Sequence, residues 1–258
     1  MSGTEVQCLI DGQSYSYEQI ADVQYRRDLH WLHEMKRLGA NIAHEGSPLS
    51  HDAINLLGRD GARALSIATR RSLGADGLRK LFEAQLRASD RMWKEINSSP
   101  DGAPPKYGFT DMTVTGMSFE QFQDIIALEN FQRRYPEINP DHCFLNLRDN
   151  GIHSMEIFGM YGGPAEVYLT IDPTIAIPFD PDPEFPTLVT GYTTLASDET
   201  RIDLFVAHQY KPLENGVAMR LCCIFPPKTP QELVDGHKLH SAIEFWELVQ
   251  PGGPNRPL

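Results

Sequence analysis

The sequence predicts an α+β protein in which a helical N-terminal part precedes a curved antiparallel sheet and a long C-terminal helix. Three observations predict this order. Apolar residues recur near helical spacing through residues 17–97, short strand-like runs with turn signals fill residues 143–225, and helical spacing returns at 229–249. Many antiparallel strands followed by a segregated helix are typical of α+β folds.

The N-terminal part contains three predicted helices. They span residues 17–38, 51–69 and 75–96. Gly39 is a plausible end signal for the first of them, because glycine readily adopts the left-handed conformation that follows a helix. The Ser-, Pro- and Gly-rich stretch at 98–105 is typical of a linker. We therefore predict a helical N-terminal region over residues 1–105 and a second domain over residues 106–258.

The second domain begins with one short predicted helix at 119–131 and continues as strands. The predicted strands span residues 143–147, 152–161, 166–171, 188–195, 202–210 and 217–225. Glu214-Asn215-Gly216 predicts a hairpin between the last two, because Asn-Gly favours tight hairpin turns. A curved sheet around a helix can enclose an apolar ligand cavity. The proline-rich segment 173–186 is predicted as a lid for that cavity.

Composition excludes several classes of protein. The 258 residues carry a formal net charge of −12, which would repel a nucleic acid, and no run of 18 apolar residues could span a membrane. The N-terminus lacks the features of a signal peptide, and the four cysteines form neither a disulfide framework nor a Cys-x-x-Cys zinc motif. We expect a cytoplasmic protein without nucleic-acid or membrane partners. Glycine-rich phosphate loops, dinucleotide fingerprints and serine-hydrolase elbows do not occur.

The last predicted helix carries the strongest chemical signal. His237, His240 and Glu244 fall on one face at 100° per residue. An imidazole and a carboxylate four residues apart can share one divalent cation, although a half-exposed helix face with two histidines is also a common structural pattern. Two ligands do not close a site, so the rest of the chain must supply more.

Three other stretches offer candidate side chains. His142 follows a proline-stiffened turn at the start of a strand, where it can face a cavity. Glu156 lies in an apolar strand, on the face opposite His153, and is either exposed or held by a cation. His208 and Tyr210 share a strand face and could serve as a base and a hydroxyl donor. Each of these positions is also compatible with simple solvent exposure.

Three patterns together resemble a known family, the metal-dependent C–C hydrolases that include 2,4-diacetylphloroglucinol hydrolase and phloretin hydrolase. The patterns are Arg134-Tyr135 with Pro140-Asp141-His142, then His208-Gln209-Tyr210 with Glu214-Asn215-Gly216 and Met219-Arg220, and finally His240-Ser241-Ala242-Ile243-Glu244. They cover the chain in patches between about residues 130 and 250. Asn139 stands where the family has a histidine, and Tyr210 where it has an arginine.

The resemblance implies a fold, a cofactor and a reaction. The fold would be a helix-grip domain of the Bet v 1/START type, and the cofactor would be zinc held by two histidines and two glutamates. The matching positions are His142, Glu156, His240 and Glu244, with Glu166 as the alternative to Glu156. The reaction would be hydrolysis of the C–C bond between an acyl group and a phenolic, phloroglucinol-like ring, with Tyr135 and His208 handling the phenolic protons. On this alignment His237 is a neighbour of the site.

Two other functions stay open at this point. The same cavity could belong to a cyclase or dehydratase that tailors aromatic polyketides, or to a non-catalytic carrier of apolar ligands. The expected partner is a small aromatic or phenolic substrate. A homodimer formed through the N-terminal helices is a further hypothesis, because those helices offer apolar stripes and no evident chemistry.

Overall fold

A computed structural model describes residues 4–99, 102–130 and 137–250, and its fold mixes helices with one large curved antiparallel sheet. The helices are α1 (Tyr17–Arg37), α2 (His51–Asn55), α3 (Arg59–Leu81), α4 (Glu83–Asn97), α5 (Phe119–Ile126) and α6 (Gln231–Val249). The strands are β1 (Glu5–Ile10), β2 (Gln13–Tyr15), β3 (Ala43–His44), β4 (Ser47–Pro48), β5 (Lys106–Thr115), β6 (His142–Arg148), β7 (Gly151–Glu156), β8 (Ala165–Ile171), β9 (Thr187–Leu195), β10 (Arg201–Leu213) and β11 (Gly216–Phe225). The expectation of an α+β chain that ends in a long helix is confirmed.

Nine of the described strands form a single sheet in the order β2-β1-β5-β11-β10-β9-β8-β7-β6, and every neighbouring pair is antiparallel. Strands β3 and β4 form a separate two-stranded ribbon. Helix α6 packs on one face of the large sheet, where Ile243 and Trp246 join an apolar cluster with residues of β5 and β11. Burial of this apolar surface is the main force that holds the helix against the sheet.

A close backbone approach fixes the position of α6. Gly236 in the helix lies against Gly159, which belongs to a 3₁₀ turn at Phe158–Met160. A Cβ atom on Gly236 would come within 2.1 Å of the Gly159 carbonyl oxygen, and Gly159 itself has a φ of +60°. Glycine at both positions therefore permits a contact that any other residue would block.

The strand that begins at His142 contains an irregularity with consequences for the site. The pairing of β6 with β7 shifts register between His142 and Phe144. Such a bulge reverses the alternation of side chains between the two faces of a sheet. As a result Cys143 and Phe144 pack together on the face of the sheet opposite α6, the outer face. Leu145 lies on the α6 side, which is also the face of His142.

Residues of α1, α2 and α3 cover the outer face of the sheet at β6 and β7, whereas Trp93 of α4 is buried in a different cluster. Trp31 of α1 and Phe82, which joins α3 to α4, are buried in one apolar cluster with Phe144 and Met155. The apolar stripes that motivated the dimer hypothesis are therefore used within the chain. The homodimer itself stays a prediction.

Residues 5–15 differ from the helical region that the sequence predicted. Strands β1 and β2 form a hairpin and join the large sheet, because β1 pairs with β5. The signal was present as Asp11-Gly12, a turn pair whose residues have φ values of +52° and +77°. Strand β5 was also missed, although its buried residues alternate strictly. The boundary near residue 105 stays a prediction, but the sheet contains strands from both sides of it.

The proline-rich segment 173–186 does not form a lid over the α6 side of the sheet. Ile175, Ile177 and Phe179 pack instead against Phe205 and Ala207 on the opposite face. Alternation along β10 explains this, because residues 205 and 207 point away from the face that carries residues 206 and 208. The predicted lid is therefore wrong, and the segment covers the outer side of the sheet.

Candidate metal centre

Three ligand atoms meet between the start of β6 and the middle of α6. His142 Nε2 lies 3.2 Å from His240 Nε2 and 3.2 Å from Glu244 Oε2, and His240 Nε2 lies 3.2 Å from Glu244 Oε2. The helical spacing of residues 240 and 244 puts both side chains on the face of α6 that is directed toward the sheet. The bulge in β6 turns His142 to meet them.

This triangle has the dimensions of a metal site. An ion held at about 2.0–2.1 Å by tetrahedral ligands separates those ligands by about 3.3 Å. Three atoms 3.2 Å apart therefore have the spacing expected of ligands to one such ion. His142, His240 and Glu244 could hold a divalent metal ion, and two imidazoles with one carboxylate are ligands that zinc accepts.

Each histidine is oriented by a carboxylate on its other nitrogen. His142 Nδ1 lies 3.0 Å from Glu156 Oε2, and His240 Nδ1 lies 3.0 Å from Asp141 Oδ2. A histidine that binds a metal through Nε2 commonly donates Nδ1–H to a carboxylate, which fixes the ring and strengthens the ligand. Glu156 and Asp141 occupy this supporting position.

The charges around the triangle favour a dication. Glu244, Glu156 and Asp141 supply three carboxylates, and Arg27 of α1 pairs with Asp141. With both histidines neutral, the group carries two negative charges that a divalent ion would balance. This charge balance fits the group to such a cation, because buried carboxylates without a compensating charge are costly.

The pKa values reflect the same pairing. Burial opposes the charged form of Glu244, but hydrogen bonds from His142 and His240 hold its pKa far below the usual value. Burial likewise disfavours a charged His240, yet hydrogen bonds to Asp141 and Glu244 raise its pKa to about 10. Without a metal, a proton on His240 therefore supplies part of the missing positive charge, and metal binding would release it.

The structure brings together all four residues that the resemblance assigns to zinc, but in two kinds of position. His142, His240 and Glu244 point at one position, whereas an oxygen of Glu156 lies 3.0 Å from Nδ1, on the far side of the His142 ring. Glu166 lies elsewhere, because its carboxylate pairs with His153 and Arg79. Tyr135 lies outside the described residues.

Sequence reasoning missed Asp141 as a partner of the site. Asp141 directly precedes His142, so it was quoted in the motif, but nothing in the spacing indicated that it would support His240. Asn139 is a second addition, because its Nδ2 donates to the His240 carbonyl and its Oδ1 accepts from the Asp141 N–H. The turn at 139–142 is therefore bonded to α6 at two points.

His208 faces the same cavity from β10 with a defined tautomer. Its Nδ1 accepts a hydrogen bond from the Cys222 backbone N–H at 3.2 Å. Burial lowers the pKa of His208 to about 4, so the ring is neutral at pH 7. A neutral imidazole has a single proton, and because Nδ1 is an acceptor that proton must be on Nε2. His208 is therefore a hydrogen-bond donor at Nε2.

His237 and Tyr210 complete the polar lining. The His237 ring is stacked on the His240 ring at 4.4 Å and 17°, between Phe158 and Phe225. Distance alone would let His237, Glu156 and His240 group around an ion. Parallel rings, however, direct their in-plane lone pairs side by side and not toward one point. The pKa of Tyr210 is raised by burial, so its hydroxyl stays protonated.

These groups line one end of a cavity of about 290 Å³. The remaining wall is apolar and includes Ile152, Leu169, Val189 and Val206, with Leu128 at the half-exposed side after α5. No lysine or arginine lines the cavity among the described residues. A cavity of this kind fits an uncharged molecule with an apolar body and oxygen atoms at one end.

Comparison with known proteins adds no assignment, because no protein-family model and no curated protein matches the chain. None of the helices within residues 4–99, 102–130 and 137–250 is long and apolar enough to cross a membrane. All four cysteines are buried and free.

Proposed function

We propose that the protein is a zinc-dependent hydrolase that cleaves the C–C bond between an acyl group and a phenolic ring. The observation that carries the proposal is the triangle of His142, His240 and Glu244 at the polar end of an apolar cavity. The resemblance of three sequence patterns to acylphloroglucinol hydrolases supports the same reading. We also propose that the sheet and α6 form a helix-grip domain of the Bet v 1/START type.

The residues of the centre have two proposed roles in holding the ion. His142, His240 and Glu244 would be direct ligands, and Glu156 and Asp141 would orient the two imidazoles. Three protein ligands leave positions open for water and substrate, as catalytic zinc sites require. A bound zinc ion supplies Lewis-acid polarisation of a carbonyl and lowers the pKa of a coordinated water.

The reaction exchanges one C–C bond for a C–H and a C–O bond. The ring carbon that bears the acyl group takes a proton, and the acyl carbon takes the hydroxyl of water. The products are a deacylated phenol and a carboxylic acid, and no oxidant or reductant is needed.

The chain's own donors are suited to the charge that develops. His208 offers a neutral Nε2–H, which can donate to a phenolic or acyl oxygen but cannot accept a proton at that atom. Tyr210 offers a hydroxyl on the same face of β10. A donor that is already oriented in a dry cavity stabilises an oxyanion without reorganisation. This reading gives His208 the role of a donor in place of the base first considered.

Zinc content and product release test the proposal. Full-length protein loaded with zinc is assayed with 2,4,6-trihydroxyacetophenone, and phloroglucinol and acetate are measured by chromatography. We expect about one zinc per chain and turnover that Glu244→Gln abolishes. Glu232→Gln, an exposed position on the same helix, is the matched control and retains activity. The proposal would be overturned if the native protein contained no metal and added zinc produced no activity toward any acyl-phenol.

The apolar cavity itself favours one second candidate, a carrier of apolar ligands. A carrier would bind aromatic ligands with unchanged affinity in Glu244→Gln and would release no acid. A cyclase or dehydratase would convert an aromatic polyketide without releasing a carboxylic acid. Product analysis in the assay above separates these outcomes from hydrolysis.

A further inference from the structure

One arginine from the N-terminal helices reaches the metal centre. The Arg27 side chain of α1 is only 6% exposed, and its Nη1 donates to Asp141 Oδ2. Its Nη2 donates to the Gly236 carbonyl oxygen at 2.8 Å. Asp141 precedes His142 in the chain, and Gly236 lies one turn before His240 in α6. A single guanidinium therefore joins the two segments that carry the proposed ligands.

A second buried arginine acts on the same turn. Arg70 of α3 donates through Nη1 to the carbonyl oxygens of His142 and of Pro140, the latter at 3.4 Å. Both acceptors belong to the turn that delivers His142. Two guanidinium groups from α1 and α3 thus hold one end of the site, although the sequence offered no chemistry for this region.

Burial of an arginine is costly unless its donors are satisfied, so a buried guanidinium that bridges two ligand-bearing segments needs a reason. Apolar packing of α1 on the sheet would not require it. The planar fork of arginine can bind a carboxylate and a carbonyl at once, which the single ammonium of lysine cannot do with the same geometry.

We propose that Arg27 is a positioning residue of the metal centre, which clamps the His142 turn to α6 and fixes the His240 ring through Asp141. The N-terminal helices are then an integral part of the site. The inference rests on the proposed function only in assuming that the triangle binds a divalent ion. It assumes nothing about the substrate.

Metal binding to full-length variants tests the clamp. Zinc affinity is measured by calorimetry, and Co²⁺ absorption spectra report the geometry of the ligands. We expect Arg27→Met to weaken zinc binding about 10–100-fold and to shift the Co²⁺ bands, because losing such a support commonly has this effect. Arg27→Lys should recover part of the affinity. Arg26→Met, at a neighbouring side chain that is 77% exposed, should match the wild type.

Wild-type zinc affinity and an unchanged Co²⁺ spectrum in folded Arg27→Met would overturn the proposal. If that variant does not fold, Arg27→Lys decides, because lysine keeps the charge that pairs with Asp141 but cannot also bind the Gly236 carbonyl oxygen with the same geometry. Zinc binding weaker than in the wild type supports the clamp, and wild-type binding refutes it. A wild type that binds neither metal would instead refute the metal centre of the proposed function and the clamp with it.

Discussion

His208 Nδ1 accepts the backbone N–H of Cys222 across the β10–β11 hairpin, at 3.2 Å. The contact lies between the ladder pairs Val206–Cys223 and Gln209–Arg220. The imidazole, and not a backbone carbonyl, is therefore the acceptor for the Cys222 N–H at this point of the hairpin. It also sets the chemistry of the residue, because an accepting Nδ1 leaves the proton on Nε2. A sheet hydrogen bond thereby defines a donor in the cavity.

The first prediction concerns this donor. His208→Phe keeps an aromatic ring against Phe245 but removes the Nε2–H. We expect kcat for acyl-phenol hydrolysis to fall about 100-fold or more, as for the loss of one oriented donor, with zinc stoichiometry unchanged. Because burial lowers the pKa of His208 to about 4, the donor is neutral throughout pH 5–9.

The pH profile is the decisive measurement for that assignment. The wild-type kcat should show no limb that belongs to His208 between pH 5 and 9. A limb near pH 6–7 that disappears in His208→Phe would mean that the imidazole titrates as a base, contrary to the fixed tautomer.

The second prediction concerns the contact between Gly236 and Gly159. Gly236→Ala places a methyl group against the Gly159 carbonyl oxygen, so α6 must move away from the turn. We expect the free energy of unfolding to fall by about 3 kcal/mol, the upper end of the usual cost of overpacking, because the contact is with backbone, and zinc affinity to fall with it. Denaturant titration and calorimetry measure the two effects.

Gly61→Ala in α3 is the matched control. The nearest atom to its new Cβ is a Leu57 methyl carbon at 3.8 Å, which is ordinary contact. This substitution should stabilise the protein by about 0.5–1 kcal/mol through helix propensity. Equal stability changes in the two variants would show that the contact at Gly236 is not limiting.

The third prediction concerns Asp28, a buried carboxylate in α1. Burial raises its pKa to about 6, although Arg70 and Ser66 oppose the shift. A folded-state pKa above the unfolded value of about 3.9 stabilises the protonated protein, so this contribution is complete below about pH 4 and is lost as pH rises through 6. Relative to Asp28→Asn, the wild type should lose about 2–3 kcal/mol of stability between pH 4 and pH 8.

Urea titrations of both proteins at pH 4, 6 and 8 measure this difference. At each pH the stability of the wild type is compared with that of Asp28→Asn, since the absolute stability of each protein also depends on other titratable groups. A difference that stays constant with pH would show that folding does not raise the pKa of Asp28.

The candidate site could be predicted in part because helix geometry is local. Residues 240 and 244 must share a face of α6 once the segment is helical, and the apolar spacing of that segment was readable. His142 and Glu156 were identified by resemblance, and their side chains do lie beside α6. The division of roles between them was not predicted, because it depends on which nitrogen of His142 meets which carboxylate.

The sequence by itself determined the helical character of residues 17–97 and of α6, six of the eleven described strands and the pair His240–Glu244, since periodicity and turn chemistry act over a few residues. The breaks between α2, α3 and α4 differ from the predicted ones. Only the tertiary structure decided that β1 and β2 join the sheet, that segment 173–186 covers the outer face, and that Arg27 reaches Asp141 across 114 positions. Those outcomes depend on long-range packing and on one bulge in β6, whose register no local pattern specifies.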